Sequence, residues 1–164
     1  MIAAIAAVDL NLGIGFGNDL LEHIPEDLAY FKQLTTGKVV VMGSNTWHSL
    51  PRKPLPNRYN IIITRTPPYE EESDGYSFHT WEEVEDFLKT TDRDVFIIGG
   101  GKVYERLLPY CDKLYLTFIG KGYENVDTYF PAFDATGEWK CTERSKTRHY
   151  KDLNYRFEHY ERVN

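Results

Sequence analysis

Asp27 is the residue whose type and position could carry proton chemistry in this chain. It lies in the stretch 23–32, His-Ile-Pro-Glu-Asp-Leu-Ala-Tyr-Phe-Lys. Pro25 suits the first turn of a helix, where its missing N–H costs nothing, and Ile24, Asp27, Leu28, Phe31 and Leu34 then follow helical spacing. Asp27 therefore shares the apolar stripe. A carboxylate held against Leu28 and Phe31 is desolvated, which favours its protonated form, while the helix N-terminus and any cationic ligand favour the charged one. Such a group can hold or pass a proton. The spacing also allows a plain structural role, because acids are favoured in the first turn of almost any helix.

A second chemistry is phosphate binding. Residues 38–42 read as a buried strand ending in Gly43-Ser44-Asn45-Thr46-Trp47, a tight turn opening a short helix to Leu50. Residues 94–98 read as another buried strand, running into Gly99-Gly100-Gly101 and a helix from Lys102 to Leu108 that Pro109 stops. A turn of this kind presents backbone N–H groups and the positive end of the helix dipole to an anion. The triple glycine lacks the spacing of the common dinucleotide fingerprint, and a structural turn would use glycine too. Arg65, after a third buried strand at 60–64, lies where a cofactor phosphate could be recognised.

The elements that must position these residues alternate. Residues 2–8 form a continuous apolar run, as in a central strand buried on both faces. Residues 9–21, with Gly13, Gly15 and Gly17, are too punctuated for a helix or strand and are expected to form a mobile or binding loop. Helix 25–35 ends at Gly37. A capping box, Thr80 with Glu83, starts a structural helix whose apolar face is Trp81, Val84, Phe87 and Leu88. A fifth strand covers 113–119 with Thr117 near its end, and 125–131 reads as a turn carrying Asp127 and Thr128. Residues 139–145 and 154–160 read as strands, the second alternating Tyr155, Phe157 and His159 with Arg156, Glu158 and Tyr160. The acidic stretch 67–75 reads as a solvated loop. The expected fold class is α/β: a mostly parallel twisted sheet with an antiparallel C-terminal hairpin, flanked by about four helices.

Composition narrows the function. The 164 residues, 41% hydrophobic and 15% aromatic, suffice for one domain spanning 1–164 with a single core. A net charge of −6 argues against non-specific nucleic-acid binding. No apolar run approaches the ~20 residues of a membrane span, and the run at 1–8 lacks the marks of a signal peptide, so a soluble cytoplasmic protein without a membrane partner is expected. Cys111 and Cys141 read as ordinary thiols, and no His or Cys cluster suggests a metal.

The residues resemble dihydrofolate reductase over nearly the whole length. The matching pieces, in the family's order and spacing, include Ile5-Ala6-Ala7, Ile14-Gly15, Ile24-Pro25-Glu26-Asp27-Leu28-Ala29-Tyr30-Phe31-Lys32, Val41-Met42-Gly43, Thr46-Trp47, and Leu55-Pro56-Asn57-Arg58-Tyr59-Asn60. They continue with Ile98-Gly99-Gly100-Gly101, Val103-Tyr104, Leu114-Tyr115-Leu116-Thr117, Asp127-Thr128 and Phe130-Pro131. The resemblance implies NADPH-dependent reduction of 7,8-dihydrofolate to tetrahydrofolate. Hydride passes to the pterin and a proton reaches the neighbouring imine nitrogen. Asp27 is implied to promote that protonation through water, with Thr117 supporting its network; Tyr104 is counted with them as a catalytic residue.

By the same resemblance Ile5, Ala6, Leu28, Phe31, Leu50, Leu55 and Ile98 line the substrate pocket, although each reads equally well as core. Arg58 would pair with the glutamyl α-carboxylate, while Lys32 and Arg52 stand at the rim. Ala7, Ile14, Gly15, Asn18, Leu20 and Tyr104 resemble the nicotinamide side of the cofactor site. Gly43, Ser44, Asn45 and Thr46, with Gly99, Gly100, Gly101, Lys102 and Val103, resemble the pyrophosphate turns. Ile63, Thr64 and Arg65, with Lys102, resemble the pocket of the 2′-phosphate. Antifolate-type small molecules are implied as further ligands, and a monomer as the working state.

Two departures stand out. Ser44 occupies a position that is often basic in the family. Glu22 stands where the family carries a tryptophan after Leu-Pro, removing an indole that packs beside the pterin and adding a carboxylate. If Glu22 points inward, two carboxylates near one pocket would raise at least one pKa; if it swings out, little changes. The loop 9–21 is expected to close less firmly and turnover to be slow. Two other functions compete: a related NADPH-dependent pyrimidine reductase of riboflavin synthesis, and a folate- or nucleotide-binding protein of low activity.

Overall fold

The computed structural model describes residues 1–66 and 74–163. In chain order the elements are β1 (Ile2–Val8), β2 (Gly13–Phe16), β3 (Asp19–Leu20), α1 (Pro25–Thr35), β4 (Val39–Gly43) and α2 (Ser44–Ser49). Then come β5 (Tyr59–Ile63), β6 (Tyr76–His79), α3 (Trp81–Thr90), β7 (Val95–Gly99), α4 (Gly101–Leu107) and β8 (Lys113–Ile119). The chain closes with β9 (Thr128–Tyr129), β10 (Trp139–Arg144), β11 (Arg148–Tyr150) and β12 (Leu153–Arg162).

The main sheet runs β10-β12-β8-β1-β7-β4-β5-β6, with β11 also on β12. Strands β8, β1, β7, β4, β5 and β6 pair in parallel, and β12, β10 and β11 add antiparallel. This is the expected α/β sheet with an antiparallel end.

Both faces of the parallel part are covered, which is why its strands read as unbroken apolar runs rather than alternating ones. Ile2, Ala4 and Val8 of β1 join Val84 and Leu88 of α3 and Val103 and Leu107 of α4 on one face. Ala3 and Ile5 join Trp47 of α2 on the other, where Phe31 and Leu34 of α1 pack. Each such large side chain taken from water stabilises the fold by about 1.5–3 kcal/mol. The capping box at α3 is complete: the Thr80 hydroxyl accepts from the Glu83 N–H at 3.2 Å, and the Glu83 carboxylate accepts from the Thr80 N–H at 3.1 Å.

Several expectations need correction. Residues 9–21 are not a structureless loop, and 125–131 is not only a turn: β2 pairs with β3 and with β9 in a separate three-stranded sheet. Glycine is needed there, because a Cβ on Gly15 would lie 2.6 Å from the Asp19 carbonyl oxygen. Strands β6 and β11 have no sequence counterpart among the expectations; each is short and gains its stability from one neighbour in the sheet. Pro109 does not simply stop α4 but sits in a 3₁₀ turn, Leu108–Tyr110. The alternation expected of β12 fails at Glu158, which is only 1% exposed. Its carboxylate accepts from Tyr160 at 2.6 Å and from Arg144 at 3.3 Å, and it pairs with Arg156. The acidic run Glu70-Glu71-Glu72, expected in a solvated loop, lies outside the described residues.

Candidate active site

Asp27 takes its place because α1 packs its inner stripe across the carboxyl ends of β1 and β8. Ala7 on β1, Thr117 on β8 and Phe157 on β12 lie side by side in register. Thr117, 4% exposed, donates its hydroxyl proton to Asp27 Oδ1 at 2.6 Å. The carboxyl of Asp27 is held above its ordinary range: burial raises it, the Thr117 hydrogen bond pulls it partly back, and the charge of neighbouring Glu26 raises it again.

On the core clusters that α1 and β1 share, several apolar side chains are only partly covered. Ala6 and Ala7 are half-buried in the middle of the sheet, as are Ile14, Phe31, Leu50, Leu55 and Ile98, and Leu28 is 42% exposed. Uncovered apolar side chains at the carboxyl ends of parallel strands mark where a ligand would complete the packing. Ile5 is buried beneath them.

Arg58 lies on the same side, 8% exposed. It donates from Nε to the Pro56 carbonyl at 2.9 Å and from Nη1 to Thr35 Oγ1 at 3.0 Å, and its guanidinium lies 5.9 Å from the Phe31 ring centroid. Among the described residues no carboxylate pairs with it, and burial pulls its pKa down. A buried guanidinium without a counter-ion is costly, so an anionic ligand would relieve the site. The segment before Arg58 is shaped by Asn60, whose amide donates to the carbonyls of Leu55, Arg58 and Gly75 at 3.1 Å each. Lys32 and Arg52 are exposed.

The two glycine turns meet. β4 and β7 are neighbours, and a Cβ on Gly43 would lie 3.1 Å from Val103 Cγ2 and about 4 Å from the Gly100 nitrogen. Gly99 has φ +125°, a conformation that favours glycine, and the Gly99–Gly100 peptide is cis. Helices α2 and α4 start from Gly43 and Gly100 with no side-chain cap, in contrast to α3. Their first N–H groups are thus open to an anion. Ser44, Asn45 and Thr46 lie in the first of these turns; Ile63 is buried, with half-buried Thr64 and exposed Arg65 following it, at the same sheet edge as exposed Lys102.

Tyr104 directs its hydroxyl to the backbone rather than to Asp27. It is 4% exposed, its hydroxyl donates to the Ile5 carbonyl at 2.6 Å, and burial pushes its pKa well up. Its contribution is to fix β1 against α4. Gly15 is buried, while Asn18, at φ +64°, and Leu20 are exposed on the small sheet.

Glu22 does not face Asp27. Its carboxylate accepts from the Tyr123 hydroxyl at 2.8 Å, and the charge that acts on Asp27 comes from Glu26. Tyr123 escaped sequence reasoning, as did Asp9, which is 1% exposed and accepts from the N–H groups of Asn11, Gly13 and Tyr123 at 2.8, 2.7 and 3.1 Å. For Asp9 a signal existed, since an aspartate two residues before a polar-glycine turn often caps it. For Tyr123 there was none.

Comparison with known proteins agrees with this geometry. A family model described as dihydrofolate reductase matches residues 1–162. The dihydrofolate reductase of Bacillus subtilis (strain 168) is 40% identical, over 100% of this chain and 96% of the relative. That of Neisseria meningitidis serogroup A is 41% identical, over 97% of this chain and 96% of the relative. Among solved structures, dihydrofolate reductase from Enterococcus faecalis complexed with NADP(H) and RAB-propyl superposes with a TM-score of 0.86 at 32% identity, covering 100% of this chain and 97% of the other. Sequence, fold and the arrangement around Asp27 therefore agree that the chain belongs to the dihydrofolate reductase family.

Proposed function

We propose that this protein reduces 7,8-dihydrofolate to 5,6,7,8-tetrahydrofolate with NADPH. The observation that carries the reading is the hydrogen bond from buried Thr117 to half-buried Asp27, whose carboxyl burial holds above its ordinary range, within a chain of this family. When bound, NADPH supplies a hydride from its nicotinamide ring to the pterin carbon next to the imine nitrogen. The protein supplies the rest. Asp27 hydrogen-bonds the amino and ring nitrogens of the pterin and promotes protonation of the imine nitrogen through water. Thr117 keeps Asp27 oriented. Because burial favours its protonated form, Asp27 can serve closer to neutral pH than a free aspartate.

Leu28, Phe31, Leu50 and Leu55 would pack the aromatic tail of the substrate, with Ile5, Ala6 and Ile98 behind them. Arg58 would hold the tail carboxylate, with Lys32 and Arg52 at the rim. The uncapped starts of α2 and α4 fit a pyrophosphate between them, and Thr64, Arg65 and Lys102 fit the further phosphate of NADPH. Ala7, Ile14, Gly15, Asn18 and Leu20 would border the nicotinamide side. Antifolate-type molecules are competing ligands in this reading, and the working form is a monomer in the cytoplasm.

The test follows loss of NADPH absorbance with dihydrofolate across pH, for this chain and for Asp27→Asn. Turnover should fall as pH rises through the ionisation of Asp27, and the variant should lose about 10²–10⁴-fold near neutral pH. Tight binding of both ligands without turnover would overturn the reading in favour of a binding protein. Turnover of a ribosyl-phosphate pyrimidine instead would favour the related reductase.

A further inference from the structure

Helix α1 has an unusual start. Its N-cap position is Ile24, which offers no side-chain hydrogen bond to the first turn, and the anchor there is burial of Ile24 against Ile119, Leu153, Tyr155 and Phe157. A helix that carries a functional acid in its first turn needs that turn held still, because loose geometry at a proton donor lowers its efficiency. The missing fixation comes from Glu26. One carboxylate oxygen accepts from the Tyr155 hydroxyl at 2.6 Å, and the other pairs with Arg148 Nη1 at 2.8 Å. Arg148 is itself placed by its guanidinium lying 5.4 Å over the Phe157 ring. Strands β11 and β12 thus grip α1 at the residue next to Asp27.

We propose that Glu26 is a positioning residue for the reaction: held at both carboxylate oxygens by Arg148 and Tyr155, it keeps the first turn of α1 and one compensated negative charge fixed beside Asp27. The proposal rests on the reading of Asp27 given above. Adjacent helical side chains do not touch, so Glu26 acts on Asp27 through space and through the backbone of the turn rather than by contact. The influence of its charge on Asp27 agrees with this, and the pKa of the Tyr155 hydroxyl is pushed up to about 12 by burial first and then by its bond to Glu26, with Arg148 pulling the other way.

The other ionisable groups on this side are already engaged with one another. Beside α1 opens a cleft of about 600 Å³ whose lining includes Tyr30, Glu143, Arg144 and His159. The Tyr30 hydroxyl pairs with His159 Nε2 at 2.6 Å, and Glu143 takes His159 Nδ1 at 3.2 Å, which assigns the proton to Nδ1. Burial lowers the His159 pKa, so this ring is neutral near pH 7. Arg144 is turned to Glu158, and Tyr115 packs on His159. From β8, Thr117 hydrogen-bonds Asp27 directly. The neighbouring charge that acts on Asp27 is that of Glu26, and Arg148 is the cation paired with it.

Opposite substitutions then have opposite consequences. Glu26→Gln removes a negative neighbour, makes Asp27 easier to ionise and moves the pH at which hydride transfer declines downward. Arg148→Met leaves Glu26 uncompensated and moves it upward. Both side chains are nearly half exposed, so screening keeps each displacement at a few tenths of a pH unit, about a two-fold change in rate above the midpoint.

The experiment is single-turnover hydride transfer followed by NADPH absorbance from acid to alkaline pH, on wild type, Glu26→Gln, Arg148→Met, the double variant and Asp27→Asn. Displacements of opposite sign in the single variants, with the double variant close to Glu26→Gln, would support the proposal. Unchanged midpoints, or displacements of the same sign, would overturn it while leaving the wild-type profile and the loss in Asp27→Asn intact. An Asp27→Asn variant with undiminished turnover would overturn the reading of Asp27 and this proposal together.

Discussion

Arg58 shows how a single residue can be informative through its cost. Its charge is buried, its hydrogen bonds go to a backbone carbonyl and to Thr35, and no described carboxylate neutralises it. Arg58→Met should raise the KM for dihydrofolate about 10–100-fold, the range of a lost charged hydrogen bond, with a smaller effect on kcat. The check is to repeat the kinetics with a substrate lacking the glutamate tail, for which variant and wild type should converge. An unchanged KM for dihydrofolate would mean that the guanidinium serves only Thr35 and Pro56. Helical spacing put Asp27 on the apolar stripe but fitted a plain structural acid equally well, and its proton role was implied by the resemblance. The partner of Glu22 was not legible in the sequence, since Tyr123 lies 101 positions away and no local pattern links them.

At the scale of elements, the small sheet is tied to the segment between β8 and β9 by a set of separate hydrogen bonds. Tyr123 reaches Glu22 with its hydroxyl and Asp9 with its N–H, and the Gly17 N–H donates to Asp127 at 3.0 Å. That last bond, together with one from Thr128, holds the Asp127 carboxyl below its ordinary range. Glu22, at the end of the loop, is thus tied to Tyr123, an interaction that the expectation of looser closure did not include. Tyr123→Phe keeps the ring and removes the hydroxyl, and NADPH should then dissociate about five-fold faster, as for loss of about 1 kcal/mol. Stopped-flow displacement of the cofactor measures this. An unchanged rate would show that the remaining ties suffice.

Over the whole molecule, two carboxyls, half-buried Asp27 and buried Glu158, act on stability with opposite signs. The pKa of Asp27 is raised, so its contribution is full below its unfolded value of 3.8 and is lost as pH rises through the higher folded value. For Glu158, burial raises the pKa, but hydrogen bonds from Tyr160 and Arg156 and the charges of Arg156 and Arg144 outweigh it, and the net shift is downward. Its contribution is present above its unfolded value of 4.5 and lost as pH falls through the lower folded value. Glu158→Gln should lower the melting temperature at neutral pH by roughly 4–8 °C, as expected for about 2 kcal/mol, and should flatten the decline on the acid side. Calorimetry from pH 3 to 8 tests both parts, about the range over which carboxylates titrate. An acid limb as steep as in wild type would assign the loss to other carboxylates.

What the sequence determined by itself is local or periodic. Apolar runs marked β1, β4, β5 and β7 because a strand covered on both faces has few polar positions, while β8 reads as a strand without such a run. The Thr80–Glu83 box marked α3, and the spacing after Pro25 marked α1 and the stripe that Asp27 shares. The glycine turns were legible as turns. Only the tertiary structure decided that two of them meet with open helix starts, that Gly15 is caught in a small sheet rather than a free loop, and that Arg58 is buried with no carboxylate partner among the described residues. It also decided that Tyr104 spends its hydroxyl on Ile5, and that Glu22, Glu26 and Glu158 turn to Tyr123, to Arg148 and Tyr155, and to Arg156 and Tyr160. The physical reason is common to these cases. A hydrogen bond or ion pair between segments far apart in the chain depends on strand order and register, and those are settled by packing, which leaves no periodic trace in the residues that profit from it.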